Sequence, residues 1–133
     1  MNGNSALLDS NIIIYLSKRK VPLSFLDQFD NHYISVITYM EVLGYQFRDS
    51  KEEEFIIEML EVFSVLFIDQ KIADMAIEIR RKQRIKLPDA IIAATAKVLN
   101  LCLVTRNIDV MGDVRAERSQ TQIDVLYILF FPC

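Results

Sequence analysis

Two periodicities alternate along the chain. Short apolar runs at Ala6–Leu8, Tyr33–Val36, Val65–Ile68, Leu101–Val104 and Ile123–Phe131 recur between longer stretches in which apolar residues return every three or four positions. The short runs predict strands and the longer stretches predict amphipathic helices, because side chains repeat every second residue along a strand and every 3.6 residues along a helix. Ser10 and Asn11 can cap a helix begun by Ile12 to Leu16. Lys18-Arg19-Lys20 and Pro22 break it. A short helix is expected over Leu23–Phe29 and closes at the turn pair Asp30-Asn31. Another runs from Thr38 to about Phe47. Over Lys51–Phe63 the residues Phe55, Ile56, Met59, Leu60 and Phe63 share one side and charges fill the other, with Glu52 to Glu54 on the solvated first turn. Ile72–Arg84 repeats the period, with Asp69 as its cap. Gly112–Gln122 reads as a loop or ragged helix.

A further helix begins at Pro88, whose fixed φ and missing N–H suit a first turn. That places Asp89 at its N-terminal mouth. Ala93 and Ala96 fall on the same face as Asp89 and let that face approach a neighbouring backbone closely.

Strands alternating with helices imply an α/β fold with a mostly parallel sheet covered on both sides. At 133 residues, 52% of them hydrophobic, residues 1–133 form a single domain with one sizeable core. The longest uninterrupted apolar run, Val125–Phe131, is too short to cross a bilayer, and the N-terminus lacks a signal-peptide layout. A cytoplasmic protein with no membrane association is expected. Cys102 and Cys133 make no disulfide framework and no C-x-x-C pair.

The net charge of -3 argues against a protein that coats nucleic acid through bulk positive charge, although it leaves room for a local basic lip. His32 is the single histidine, which excludes an H-E-x-x-H zinc site, and no G-x-S-x-G elbow accompanies it. Carboxylates must therefore carry any chemistry. In a parallel sheet the ligand crevice lies at the carboxyl ends of the strands, and Asp9, Glu41, Asp89 and Asp109 all leave strands or enter the helices that follow them.

Each acid also has a local role open to it. Asp9 can cap the first helix, Glu41 can close a capping box with Thr38, and Asp89 and Asp109 suit helix first turns. Their convergence changes the balance. Two carboxylates about 4 Å apart repel by roughly 4 kcal/mol at an effective dielectric of about 20, whereas a helix-dipole contact returns at most about 1 kcal/mol. Such a cluster needs protons or a cation, and an all-oxygen site selects Mg²⁺ or Mn²⁺.

The segments Leu7-Leu8-Asp9-Ser10-Asn11, Ile37-Thr38-Tyr39-Met40-Glu41-Val42, Leu87-Pro88-Asp89-Ala90-Ile91-Ile92-Ala93 and Leu103-Val104-Thr105-Arg106-Asn107 resemble, in order and spacing, the PIN-domain ribonucleases, and among them the VapC toxins of type II toxin-antitoxin systems. The resemblance runs from about Leu7 to Asp109. It implies a three-layer α/β/α sandwich with a mostly parallel five-stranded sheet, and a Mg²⁺-dependent endoribonuclease acting on RNA and held inactive by a VapB-like antitoxin. Asp9, Glu41, Asp89 and Asp109 match the catalytic acids, with Asp9, Asp89 and Glu41 as metal ligands. Asn11, Thr105 and Asn107 are supporting polar residues, and Arg106 is a phosphate contact. The fourth corner departs from the family pattern: Asn107-Ile108-Asp109-Val110-Met111 sets Asp109 one residue early and lacks the usual aromatic. That irregularity leaves a second reading, a PIN-like module with a degraded site that binds RNA or protein. The apolar, methionine-bearing helix around Phe55–Phe63 suits a homodimer or a partner groove.

Overall fold

The computed structural model describes residues 4–106 and, past them, the backbone of two strands, 116–118 and 127–130. Strand β1 (Ser5–Leu8) is the axis of the sheet. It pairs in parallel with β2 (Asn31–Ser35) on one side and with β4 (Cys102–Thr105) on the other, so that Ala6 lies level with both His32 and Cys102. β3 (Ser64–Leu66) extends the parallel set beyond β2. On the far side, β6 (Tyr127–Phe130) runs antiparallel to β4 and β5 (Ala116–Arg118) runs antiparallel to β6, giving the order β3-β2-β1-β4-β6-β5. The mostly parallel sheet expected from the sequence is present, and among the described residues it has six strands where five were expected. β5 falls in the stretch read as a loop or ragged helix. Its Ala-Glu-Arg segment has no apolar alternation, so only backbone pairing with its neighbour makes it a strand.

Alternation along the central strands sorts two cores. Ala6 and Leu8 of β1, with Cys102 and Val104 of β4, face α1 (Ser10–Ser17), a 3-10 helix (Leu23–Gln28) and α3 (Ser50–Leu60). Leu7 and Leu103 face the other way and meet Ile92 and Ala96 of α5 (Leu87–Leu99). Helix α4 (Gln70–Lys82) packs outside α5, with Ile72 and Ala76 against Ala90, Ile91 and Ala94. Every residue from Ala90 to Ala96 is buried. The small side chains therefore serve two opposite faces of α5, where the sequence suggested one.

Several boundaries moved for local reasons. Helix α2 (Val36–Leu43) starts two residues before Thr38, because the Ser35 hydroxyl accepts from the Ile37 amide at 3.1 Å and takes the cap as β2 ends. β3 stops at Leu66, which leaves Phe67 and Ile68 exposed. Asp69 does cap α4, accepting from the Ile72 amide at 2.9 Å. Most of the Phe55–Phe63 face is core, since Ile56, Met59, Leu60 and Phe63 are buried. What stays open there is a cavity of about 340 Å³ rimmed by Leu23, Leu26, Phe55 and Val62. Among the described residues no helix is long and apolar enough to cross a membrane.

Helix α5 matters most for position. Its C-terminus turns through Asn100, in the left-handed region at φ 59°, and enters β4 two residues later. A helix joined so tightly to the amino end of a strand it covers must run back along the sheet, carrying its first turn to the carboxyl edge. Ile37, just past the end of β2, packs in the same cluster as Ala90 and Ile91 and fixes that placement.

Candidate active site at the carboxyl edge of the sheet

Asp9 is the first residue beyond β1 and the N-cap of α1. Its amide donates to the Val104 carbonyl at 3.0 Å, which ties it to the end of β4. Its carboxylate is held at both oxygens: Oδ1 accepts from the Ser10 amide at 2.7 Å, and Oδ2 accepts from Thr105 Oγ1 at 2.7 Å. Asp9 is only 6% exposed and Thr105 is fully buried. Burial holds the Asp9 carboxyl above the usual carboxylate range; the hydrogen bonds from Thr105 and Ser10 pull it back, and the negative charge of Glu41 adds to the rise.

Glu41 stands on α2, which starts where β2 ends. The Ser10 hydroxyl donates to Glu41 Oε1 at 2.7 Å and lies 3.3 Å from Thr38 Oγ1. A hydroxyl has one proton, and the shorter contact to a carboxylate takes it, so Thr38 can only donate in the longer contact. The capping-box expectation for Thr38 and Glu41 is therefore corrected. Ser35 has the cap, Thr38 is buried inside the helix, and Glu41 turns across to α1. Ser10 and Thr38 are the members that sequence reasoning passed over, having assigned both to helix starts. A hydroxyl directly after a strand-ending aspartate was the available signal.

The third acid, Asp89, is half-buried in the first turn of α5, the end of that helix nearer the carboxyl edge of the sheet. Asn11 is exposed on α1. Asn107 and Asp109 lie outside the described residues. The structure thus joins Asp9, Ser10, Glu41, Thr38 and Thr105 in one hydrogen-bonded set, to which it does not join Asp89. Among the described residues no three acidic, cysteine or histidine side chains are grouped so that they could hold a metal ion. The donors present are nevertheless all oxygen. Each Asp9 oxygen accepts one hydrogen bond and keeps a second acceptor direction, and the charge of Glu41 raises the cost of ionising Asp9. A hard divalent cation fits that chemistry.

Arg106, next after Thr105, folds against α1: its guanidinium carbon lies 4.2 Å from the centre of the Tyr15 ring. The Lys20 ammonium lies 5.5 Å from the same ring. The Arg106 Nε is buried and has no hydrogen-bond partner among the described residues. Stacking fixes the plane of the guanidinium.

A model of the PIN domain family matches residues 6–116. No curated protein matches the chain. Among solved structures, a chain of a toxin-antitoxin complex from Klebsiella pneumoniae is 36% identical with a TM-score of 0.66, over 81% of this chain and 92% of that one. A chain of VapBC-1 from nontypeable Haemophilus influenzae is 27% identical with a TM-score of 0.65, over 84% and 91%. A chain of VapBC2 from Rickettsia felis, bound to a DNA fragment from their promoter, shares the fold at 21% identity and a TM-score of 0.69, over 85% and 92%.

Proposed function

This chain belongs to the PIN-domain family, and from that premise we propose that it is a Mg²⁺- or Mn²⁺-dependent endoribonuclease, the toxin of a VapBC-type pair, acting on RNA in the cytoplasm. The observation that carries the reading is that one residue, Ser10, holds two carboxylates from different elements: its amide donates to Asp9 Oδ1 and its hydroxyl to Glu41 Oε1, each at 2.7 Å. Nothing in the stability of either helix requires Glu41 to approach a buried acid whose ionisation it opposes. A site for a cation does.

Asp9, Glu41 and Asp89 are the residues that would hold the ion, with Asp109 as the fourth acid and Asn107 and Asn11 as supporting donors. The ion supplies water activation and charge neutralisation at the scissile phosphate. The chain's own residues supply position. Thr105 and the Ser10 amide lock the Asp9 carboxylate in one orientation, and the Ser10 hydroxyl aims Glu41 at it. Arg106, its plane set by Tyr15, stands one residue past Thr105 and offers its guanidinium edge to a phosphate.

The partner in this reading is a VapB-like antitoxin. Two of the similar structures are described as VapBC complexes and one as a toxin-antitoxin complex. Tyr39, Met40 and Leu43 on α2 and Ile57 on α3 are exposed, and a cavity of about 250 Å³ opens between Tyr39, Leu43, Ile57 and Leu60. Such a groove suits the apolar face of a partner helix. We assign the free toxin as a homodimer, to be read from its mass in solution.

Incubating the purified protein with a mixed RNA pool in Mg²⁺ and in EDTA, beside Asp89→Asn, tests the reading. Cleavage in Mg²⁺ that is absent in EDTA and at least about a hundredfold slower in the variant supports it. RNA binding without cleavage in Mg²⁺ or Mn²⁺ rejects it in favour of a binding module.

A further inference from the structure

The last turn of α4 and the loop that delivers Asp89 carry the densest positive charge in the chain. Five of the seven residues from Arg80 to Lys86 are cationic, one third of the 15 lysines and arginines of a protein whose net charge is -3. Arg80, Arg81, Gln83 and Arg84 line an open cavity of about 420 Å³ with Ile77 and Ile85, and no acid lines it. Lys82 is set apart by its 3.0 Å ion pair with Glu78. Among the described residues Arg80, Arg81 and Arg84 make no ion pair. Arg80 Nε donates to the Ile85 carbonyl at 3.4 Å, which draws the last turn of α4 and the loop into one surface.

We propose that this surface is a phosphate-binding subsite that grips the RNA backbone beside the scissile bond. The inference rests on the nuclease reading above. α5 carries its first turn to the carboxyl edge, and only Ile85, Lys86, Leu87 and Pro88 separate Arg84 from Asp89. A strand of RNA entering the acidic edge, where its charge is repelled by Asp9 and Glu41, meets compensating cations there. Arginines without ion-pair partners around an open cavity suit bidentate contacts to phosphate oxygens. The competing account is that Arg80, Arg81 and Lys82 only complement the C-terminal end of the α4 dipole, a role worth about 0.3–1 kcal/mol. That account leaves Arg84, beyond the helix, unexplained.

The test compares wild type, the triple variant Arg80→Gln/Arg81→Gln/Arg84→Gln and the control Lys51→Gln, which removes one charge on the opposite face of the sheet. Binding of a fluorescein-labelled single-stranded RNA is followed by anisotropy in EDTA across a NaCl series. Three lost phosphate contacts lower the slope of log Kd against log salt by about 2, at about 0.7 per contact for a single strand, and weaken binding roughly tenfold or more at low salt. Lys51→Gln lowers the slope by less than 1. Unchanged slope and affinity in the triple variant, with or without a lower melting temperature, overturns the proposal, as does failure of wild type to bind RNA. A changed solution mass with an unchanged slope also overturns it and marks the surface as an interface between copies. Cleavage in Mg²⁺ is scored separately on wild type, so loss of the nuclease reading shows as binding without cleavage while the slopes still judge the subsite.

Discussion

Thr105 and Asp9, 96 positions apart, meet in a buried 2.7 Å hydrogen bond at the ends of adjacent parallel strands. The bond satisfies an Asp9 oxygen that burial has otherwise stripped of water. Replacing Thr105 with Val keeps the branched shape and removes the donor, leaving a buried acceptor unpaired at a cost of about 1–3 kcal/mol. The expected result is a drop of several degrees in melting temperature and a further rise of the Asp9 pKa. Thr105→Ser, which keeps the hydroxyl, restores most of both. An unchanged melting temperature for the valine variant contradicts the assignment.

The raised pKa of Asp9 makes a signed prediction about metal-free stability. A carboxyl whose folded pKa exceeds its unfolded pKa binds more protons in the folded state between the two values, so stability falls as pH rises through that window. Asp9→Asn removes the effect without losing the hydrogen bonds. Its oxygen still accepts from the Ser10 amide, and its NH₂ meets the Thr105 hydroxyl, which turns to accept. In urea unfolding in EDTA, wild type should lose stability relative to Asp9→Asn from the ordinary aspartate range upward, and the two should converge on acidification. A difference that does not depend on pH would contradict this.

Ser10→Ala separates positioning from folding. The lost hydrogen bond reaches an exposed glutamate, so the stability cost is below about 1 kcal/mol. Glu41 then swings free of Asp9, and the midpoint of Mg²⁺-induced thermal stabilisation is expected to rise roughly tenfold or more, as for other partners that orient a ligand. RNA cleavage at subsaturating Mg²⁺ falls with it. Equal Mg²⁺ midpoints for variant and wild type would remove Ser10 from the site.

Ala94 tests the packing that carries Asp89 into place. It is fully buried where α5 meets Ile72 and Ala76 of α4. Ala94→Leu adds volume with no space to receive it, at a cost of about 1–3 kcal/mol. Denaturant midpoints check the size, and a variant as stable as wild type would show that the two helices are loosely packed.

The local sequence determined what local physics governs. Short apolar runs marked β1, β2 and β4, Pro88 and the small residues after it marked α5, and Asp69 marked the start of α4, because each of those signals acts within one turn or one strand. The same reasoning singled out Asp9, Glu41 and Asp89 as acids at strand-to-helix junctions, but only Asp9 stands at one: Glu41 lies within α2, and α5 follows α4 with no strand between. The resemblance to the PIN-domain ribonucleases agrees with the family match over residues 6–116. Tertiary structure decided what spans elements. Glu41 turns to Ser10 instead of closing a box with Thr38, Arg106 lies on Tyr15, and Ala-Glu-Arg becomes a strand by pairing with β6. None of these choices can be read from neighbours in sequence. A side chain with two partners within reach goes to the one that parallel register and helix packing bring close, and those depend on residues far along the chain, as the bond between Asp9 and Thr105 does.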